Sequence, residues 1–494
     1  MGVSPHAAGP GTTRTVALMD EIRRRLASRS LTAGEKLPSV RAFARTMGVS
    51  PSTVVEAYDR LAAEGLIRSR PGSGFYAVGA APPLVLTESA PRLDRAIDPL
   101  WVSRQSLDAH PDTLRPGCGW LPADWMPNAA VRRALRKLAR ADDAVLSDYG
   151  GTRGLPPLRQ HLARQFAAEG IAAGADQVLL TGSGTQALDL LCRFFLQPGD
   201  TVLLDDPCYF NFQALLRAHR VRIVSVPQTP SGPDPVAFAA VLAAHRPRLY
   251  VTNSAIHNPT GATLSPQIAH RILTMAAAHE MAVIEDDIFA DFEPDPSTRL
   301  AALDGLDRVI RIGSFSKTLS ASLRCGYIAA RREWIEGLVD LQVATNFGSA
   351  SPATASIIHA ALSDGGYRKH MTELRTRLAR RQTQAIAALG TLGIEPWTLP
   401  RGGFLLWCRL PDGLDAAQIA RDALNDGVLL APGDVFSVAR TAPDMMRFNV
   451  AQMAPAVIAV LKGSLDRGSR SGDHHRLVPA ERHSDVPPRP MTGF

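Results

Sequence analysis

Near the N-terminus, apolar positions recur at three- and four-residue spacing. Val16, Met19, Ile22 and Leu26 make one stripe between arginines, which predicts an amphipathic helix with its charged side in water. Ser39 precedes Val40, Phe43, Ala44 and Met47, and Gly48 follows, the pattern of a capped second helix that stops at a glycine. Ser50 and Pro51 open a third helix whose inner face is Val54, Ala57, Tyr58 and Leu61; proline suits a first turn, where its missing N–H has no helical acceptor. Helix, tight turn, helix is the layout that lays its second member in a major groove. Past Gly65 the period shortens to two apolar runs, residues 66–70 and 75–78, around Pro71-Gly72-Ser73-Gly74, which reads as a two-stranded wing.

Residues 79–115 hold scattered prolines and no sustained period, and read as a linker. Short β runs then alternate with helical stretches at residues 177–180, 201–204, 222–226, 249–252, 281–284 and 309–312. That alternation predicts βαβ units, hence an α/β domain with a mainly parallel sheet and its ligand site at the carboxyl ends of the strands. The tail from Gly463 onward is polar and proline-rich and is expected to stay disordered. The expected organisation is a disordered N-terminus over 1–14, a winged helix-turn-helix over 15–78, a linker over 79–115, a large domain over 116–462 and a tail over 463–494.

Charge sharpens the first assignment. The 494-residue chain carries a net +7, and residues 1–80 hold eleven basic against six acidic side chains, a local excess that attracts polyanions. No stretch approaches the ~18 uninterrupted apolar residues of a membrane span. The N-terminus lacks the apolar core of a signal peptide, and His6 stands where a myristoylation site wants Ser or Thr, so a cytoplasmic location is expected. Cys118, Cys192, Cys208, Cys325 and Cys408 are scattered without metal-ligand spacing and read as reduced thiols; no metal site is expected, and His474 and His475 read as solvated.

The chemistry lies at the strand ends. Thr181-Gly182-Ser183-Gly184-Thr185 joins a strand to a helix, where glycines, free N–H groups and hydroxyls suit a phosphate. Asp205-Asp206-Pro207-Cys208-Tyr209, His257-Asn258-Pro259-Thr260-Gly261, Glu285-Asp286-Asp287 and Gly313-Ser314-Phe315-Ser316-Lys317 follow four further strands, with Arg324 beyond. An amine among a phosphate cradle, a carboxylate and an aromatic face is what pyridoxal phosphate (PLP) needs: a lysine for the Schiff base, an acid for the pyridine nitrogen and a ring to stack.

Two resemblances follow from these motifs. Lys36-Leu37-Pro38-Ser39-Val40-Arg41, Gly48-Val49-Ser50, Leu61-Ala62-Ala63-Glu64-Gly65 and Arg70-Pro71-Gly72-Ser73-Gly74 make the N-terminal segment similar to the GntR family of bacterial transcription regulators. That resemblance implies DNA contacts by Arg41, Ser52, Thr53, Gly72, Ser73 and Gly74; Pro51 departs from a frequent family arginine. The region from Gly117 to Ala454 resembles fold-type I PLP aminotransferases, with a smaller α+β subdomain. By resemblance Lys317 holds the cofactor, Asp286 rather than Asp287 pairs with the pyridinium, Asn258 bonds the ring hydroxyl and Tyr209 stacks. Ser183, Gly184, Thr185, Ser314 and Arg324 bind the phosphate, Tyr149 reaches the neighbouring subunit's phosphate, and Arg447 grips a carboxylate. Phe289 replaces a family tyrosine and removes one donor to the ring hydroxyl.

Together the halves resemble the MocR subfamily. The resemblance implies a head-to-tail homodimer that binds PLP, a double-stranded operator, and an amino-acid or amine effector. The competing readings are a working aminotransferase with an accessory DNA-binding domain and a DNA-binding protein with an inert aminotransferase fold.

Overall fold

The computed structural model describes residues 14–27, 31, 34–78 and 99–476, in two compact units divided after residue 95. The expected tails at 1–13 and 477–494 and the linker segment 79–98 lie outside the described residues.

The small unit contains α1 (Arg14–Ala27), α2 (Val40–Met47), α3 (Pro51–Ala63), β1 (Ile67–Arg70) and β2 (Gly74–Ala77). Ser39 caps α2 by accepting from the Ala42 N–H, Gly48 closes it at φ 64°, and Ser50 caps α3 by accepting from the Thr53 N–H. Val54, Ala57, Tyr58 and Leu61 are fully buried, as their spacing predicts. Tyr58 lies between Phe43 and Phe75 and donates its hydroxyl to the Pro38 carbonyl at 2.8 Å, so a polar tip is satisfied inside a small core. The stripe on α1 is turned from the expected one: Thr15, Leu18, Met19 and Ile22 are buried and Val16 is only half-buried. Thr15 bonds Glu56 of α3 at 3.2 Å, which fixes the rotation of α1. β1 and β2 pair antiparallel, and Lys36 bridges to Tyr76 on their outer edge.

The large unit is built on a sheet of β3 (Val178–Thr181), β4 (Thr201–Asp206), β5 (Arg222–Thr229), β6 (Gly232–Pro233), β7 (Leu249–Thr252), β8 (Ala282–Asp286), β9 (Val309–Ser314) and β10 (Gly326–Ala329), in the order β3-β10-β9-β8-β7-β4-β5-β6. The five strands from β9 to β5 run parallel; β10 is antiparallel to both neighbours and β6 to β5. Both faces of the sheet are covered, by separate apolar clusters, which is why its strands read as continuous apolar runs. All six expected runs are strands.

A second, antiparallel sheet contains β11 (Glu395–Pro396), β12 (Leu405–Arg409), β13 (Ala431–Pro432) and β14 (Met445–Asn449), in the order β11-β12-β14-β13. It packs with the helices Gly366–Gly390, Ala416–Asn425 and Pro455–Arg476 in one core. Two expected boundaries move. The last helix runs through Gly463 to Arg476, because Val457, Leu461 and Leu465 keep a four-residue apolar row against Leu414 and Ile419. Part of the expected linker belongs to the large unit: the helix Pro99–Asp108 buries Val102, and Leu114 exchanges backbone bonds with Gly427 and Leu429 at 3.0 and 2.8 Å. All five cysteines are free and buried. No helix among the described residues is long and apolar enough to cross a membrane, and no group of three metal-ligating side chains occurs among them.

Candidate functional site

The loops after β3, β4, β8 and β9 converge at the carboxyl edge of the large sheet. Ser183 caps the helix Gly184–Phe195 by accepting from the Gln186 N–H at 3.0 Å, which leaves the first-turn N–H groups of Gly184 and Thr185 without helical acceptors. Beneath them runs β10. A Cβ at Gly326 would stand 2.6 Å from the Gly184 nitrogen and 2.8 Å from the Gly313 oxygen, so only glycine lets this strand pass under the turn. Ser314 bonds Ser316 and the Cys325 carbonyl at 3.0 and 3.1 Å, fixing the loop that carries Lys317. Arg324 is exposed, and its guanidinium has no hydrogen-bond or ion-pair partner among the described residues. Two free amides, hydroxyls and an unpaired guanidinium fit a phosphate dianion.

The two adjacent aspartates have different surroundings. Asp287 is buried in an ion network, 2.8 Å from Arg299 and 2.6 Å from Arg311, which also reach Glu293 and Glu169. Asp286 accepts from the Ile288 N–H at 3.2 Å, and burial, together with the neighbouring Asp287 charge, pushes its carboxyl up to about 7 despite that bond. Lys317 lies within electrostatic range of it; burial and the Arg447 charge bring the lysine down to about 8. A carboxyl and an amine each held away from its charged form suit a heteroaromatic cation and an aldehyde, which is what PLP presents.

Arg447, on β14, is almost wholly buried. It donates to Asn258 Oδ1 at 3.0 Å and to the Gly117 carbonyl at 2.7 Å, and lies 4.7 Å over the Phe436 ring. It meets no carboxylate, and its burial lowers its pKa to about 10. One face of a bidentate cation is therefore available to an anion. Tyr209 is half-buried within electrostatic range of Asp286 and Arg447. Phe289 is packed against Phe292 and Phe404 and brings no polar atom. Tyr149 stands apart: it is 80% exposed, against an exposed Phe347. Sequence reasoning missed Trp120, whose ring lies 6.0 Å from Lys317 Nζ, and Cys118, whose thiol interacts with the Arg447 and Lys317 charges. The glycines on either side of Cys118, followed by an aromatic at the start of the large domain, were the available signal.

In the small unit, α1 ties its arginines to acids: Arg23 to Asp20 and Glu64, and Arg24 and Arg25 to Glu21. Arg41, Arg45, Arg68 and Arg70 are exposed and meet no carboxylate among the described residues. Ser52 and Thr53 lie at the start of α3, bonded through the Ser50 hydroxyl at 2.8 and 2.7 Å. Gly72 and Gly74 take φ of 71° and 103° at the wing tip, where Ser73 bonds Tyr76 at 2.6 Å and Arg70 lies over the Tyr76 ring at 4.5 Å.

Fold and site define an aminotransferase-type domain joined to a winged helix-turn-helix. The chain belongs to the family "Aminotransferase class I and II", which matches residues 122–465, and residues 14–77 match "Bacterial regulatory proteins, gntR family". It is a GntR-type DNA-binding regulator fused to an aminotransferase-like domain, a MocR-like architecture, and the cofactor this implies is PLP. It is similar to the HTH-type transcriptional regulators YdcR of Escherichia coli (29% identical, covering 88% of this chain and 94% of the relative) and NorG of Staphylococcus aureus (26%, 81% and 92%). Among solved structures it resembles LysN, an alpha-aminoadipate aminotransferase of Thermus thermophilus complexed with N-(5'-phosphopyridoxyl)-L-leucine, at 27% identity and a TM-score of 0.67 over 78% of this chain and 97% of that one.

Proposed function

We propose that the large domain senses PLP, an amino-acid or amine effector, or both, and that binding there changes operator affinity in a cytoplasmic head-to-tail homodimer. The carrying observation is the convergence of Lys317, Asp286, Asn258 and Arg447 on one buried site in a chain that also presents unpaired arginines on a winged helix. In this reading Ser183, Gly184, Thr185, Ser314 and Arg324 hold the cofactor's phosphate, Asp286 its ring nitrogen, Asn258 its hydroxyl and Tyr209 its face. Bound PLP supplies a carbonyl that condenses with amines. Lys317, brought down to about 8, carries a far larger neutral-amine fraction than an ordinary lysine, and Arg447 orients an effector carboxylate. The exposed Tyr149 and Phe347 pair supports a second subunit over that edge. Arg41, Ser52, Thr53, Gly72, Ser73 and Gly74 contact DNA.

A ligand shifts DNA affinity only through unequal binding to two conformations. Operator affinity measured at one salt for cofactor-free, PLP-loaded and effector-bound protein should differ by ~5- to 150-fold. Three equal affinities with steady keto-acid formation would instead establish an enzyme. That second reading has its own support in the depressed Lys317 amine, which a catalytic lysine needs.

A further inference from the structure

Trp120 stands beside one cationic anchor of the site, and its neighbour Gly119 beside the other. Its ring centre is 6.0 Å from Lys317 Nζ, and the adjoining Gly119 backbone runs along Arg447, close enough that a Cβ there would stand 3.5 Å from the guanidinium. The backbone is pinned, because the Trp120 carbonyl accepts from Asn449 at 2.7 Å and from Gln452 at 2.9 Å. The indole is half-buried, and its N–H has no hydrogen-bond partner among the described residues. A fixed, partly open aromatic face with an idle donor is a binding wall.

A molecule that places an amine at Lys317 and a carboxylate on Arg447 brings its remaining atoms within reach of this wall. The charged side chains that act on Lys317 are already assigned: Arg447 to the carboxylate, Asp286 to the cofactor ring and Arg324 to the phosphate. The flanking surface is aromatic, since Arg447 itself lies between the Phe436 and Phe210 rings, at 4.7 and 5.9 Å. A second charge on the ligand would be buried without a partner, at a cost that far exceeds what apolar contact returns.

We propose, resting on the sensing reading above, that Trp120 is a specificity-determining residue and that the effector is an α-amino acid with an uncharged, flat or branched apolar side chain seated on its indole. Dicarboxylic and diamino acids are excluded. The test titrates L-phenylalanine, L-leucine, L-alanine, L-glutamate and L-ornithine into the full-length PLP-loaded protein, followed by calorimetry and by the cofactor absorbance. Phenylalanine or leucine should bind tightest. Trp120→Ala should weaken these about 10-fold while changing alanine by less than about 3-fold, and Trp120→Phe should restore most of the loss. Cofactor absorbance and thermal melting of each variant check that it is folded and loaded; if Trp120→Ala fails there, Trp120→Leu takes its place with the same expected ordering between phenylalanine and alanine. Tightest binding of glutamate or ornithine, or an equal loss for every amino acid in the variant, overturns the specificity assignment and leaves sensing intact. Binding of none of the five overturns the specificity assignment, and the sensing reading falls with it only if operator affinity is also equal for cofactor-free and PLP-loaded protein.

Discussion

The two units place their cations in opposite settings. In the winged helix Arg41, Arg45, Arg68 and Arg70 are exposed and meet no acid among the described residues; in the large unit Arg299, Arg311 and Arg447 are 3%, 1% and 1% exposed. Exposed charge acts through solvent and is screened within about 8 Å at physiological salt. Buried charge acts on its immediate neighbours and shows itself as shifted proton affinities, as at Lys317 and Asp286. One unit should therefore answer to salt and the other to pH.

The largest expected effect separates them outright. Lys317→Ala should abolish borohydride-trapped cofactor, read by peptide mapping, while operator affinity of the cofactor-free variant stays within about 2-fold of cofactor-free wild type. A labelled peptide that does not contain Lys317 breaks the assignment. Next comes salt. Raising it from 50 to 200 mM should weaken operator binding by ~10³-fold if about six phosphates are contacted, with a far smaller change in PLP affinity. Parallel slopes would erase the contrast. Within the winged helix, Arg41→Ala should cost roughly 1 to 3 kcal/mol on the operator and relax preference at one base pair. Arg24→Ala, whose guanidinium is held by Glu21 at 2.5 Å, should have little sequence-dependent effect in the same binding assay.

The smallest effect is thermal. Asp286 rises from 3.8 to about 7, so the stability it lends is full below pH ~4 and lost as pH climbs through 7. Lys317 falls from 10.5 to about 8, so its share is full above 10.5 and lost as pH drops through 8. Between pH 7 and 8 both are mostly lost in cofactor-free protein. The gap in Tm between PLP-loaded and cofactor-free protein should be widest there and narrower at pH 5 and pH 10, where one of the two penalties is relieved. A gap that does not change with pH contradicts the placement of these groups.

The same contrast explains what the chain revealed. The winged helix is encoded locally: Ser39, Gly48, Ser50 and the apolar row on α3 each act on near neighbours in the chain, and all four features stand as read. The six strands were legible because burial on both faces demands unbroken apolar runs. β10 was not, and its antiparallel place is fixed only by pairing with β3 and β9, which are remote in the chain or separated from it by the lysine loop. The helix past Gly463 was hidden by polar composition, although its 457, 461, 465 row was present. The resemblance picks Asp286, but the ion network around Asp287 was hidden, since it depends on Arg299, beyond the next loop, and on Arg311 of β9. Trp120 nears Lys317 only because the strands from β3 to β9 intervene in the chain and fold back between them. Such long-range pairings leave no local trace.

Gly326 carries this into genetics. Every missense change at its codon introduces a Cβ into the backbone beneath the Ser183-Gly184 turn. In a saturating mutational screen, alleles at codon 326 should behave as promoter-bound but unresponsive, a phenotype usually blamed on a ligand-contacting residue. In a diploid test such alleles would be dominant, because a defective copy still occupies the operator.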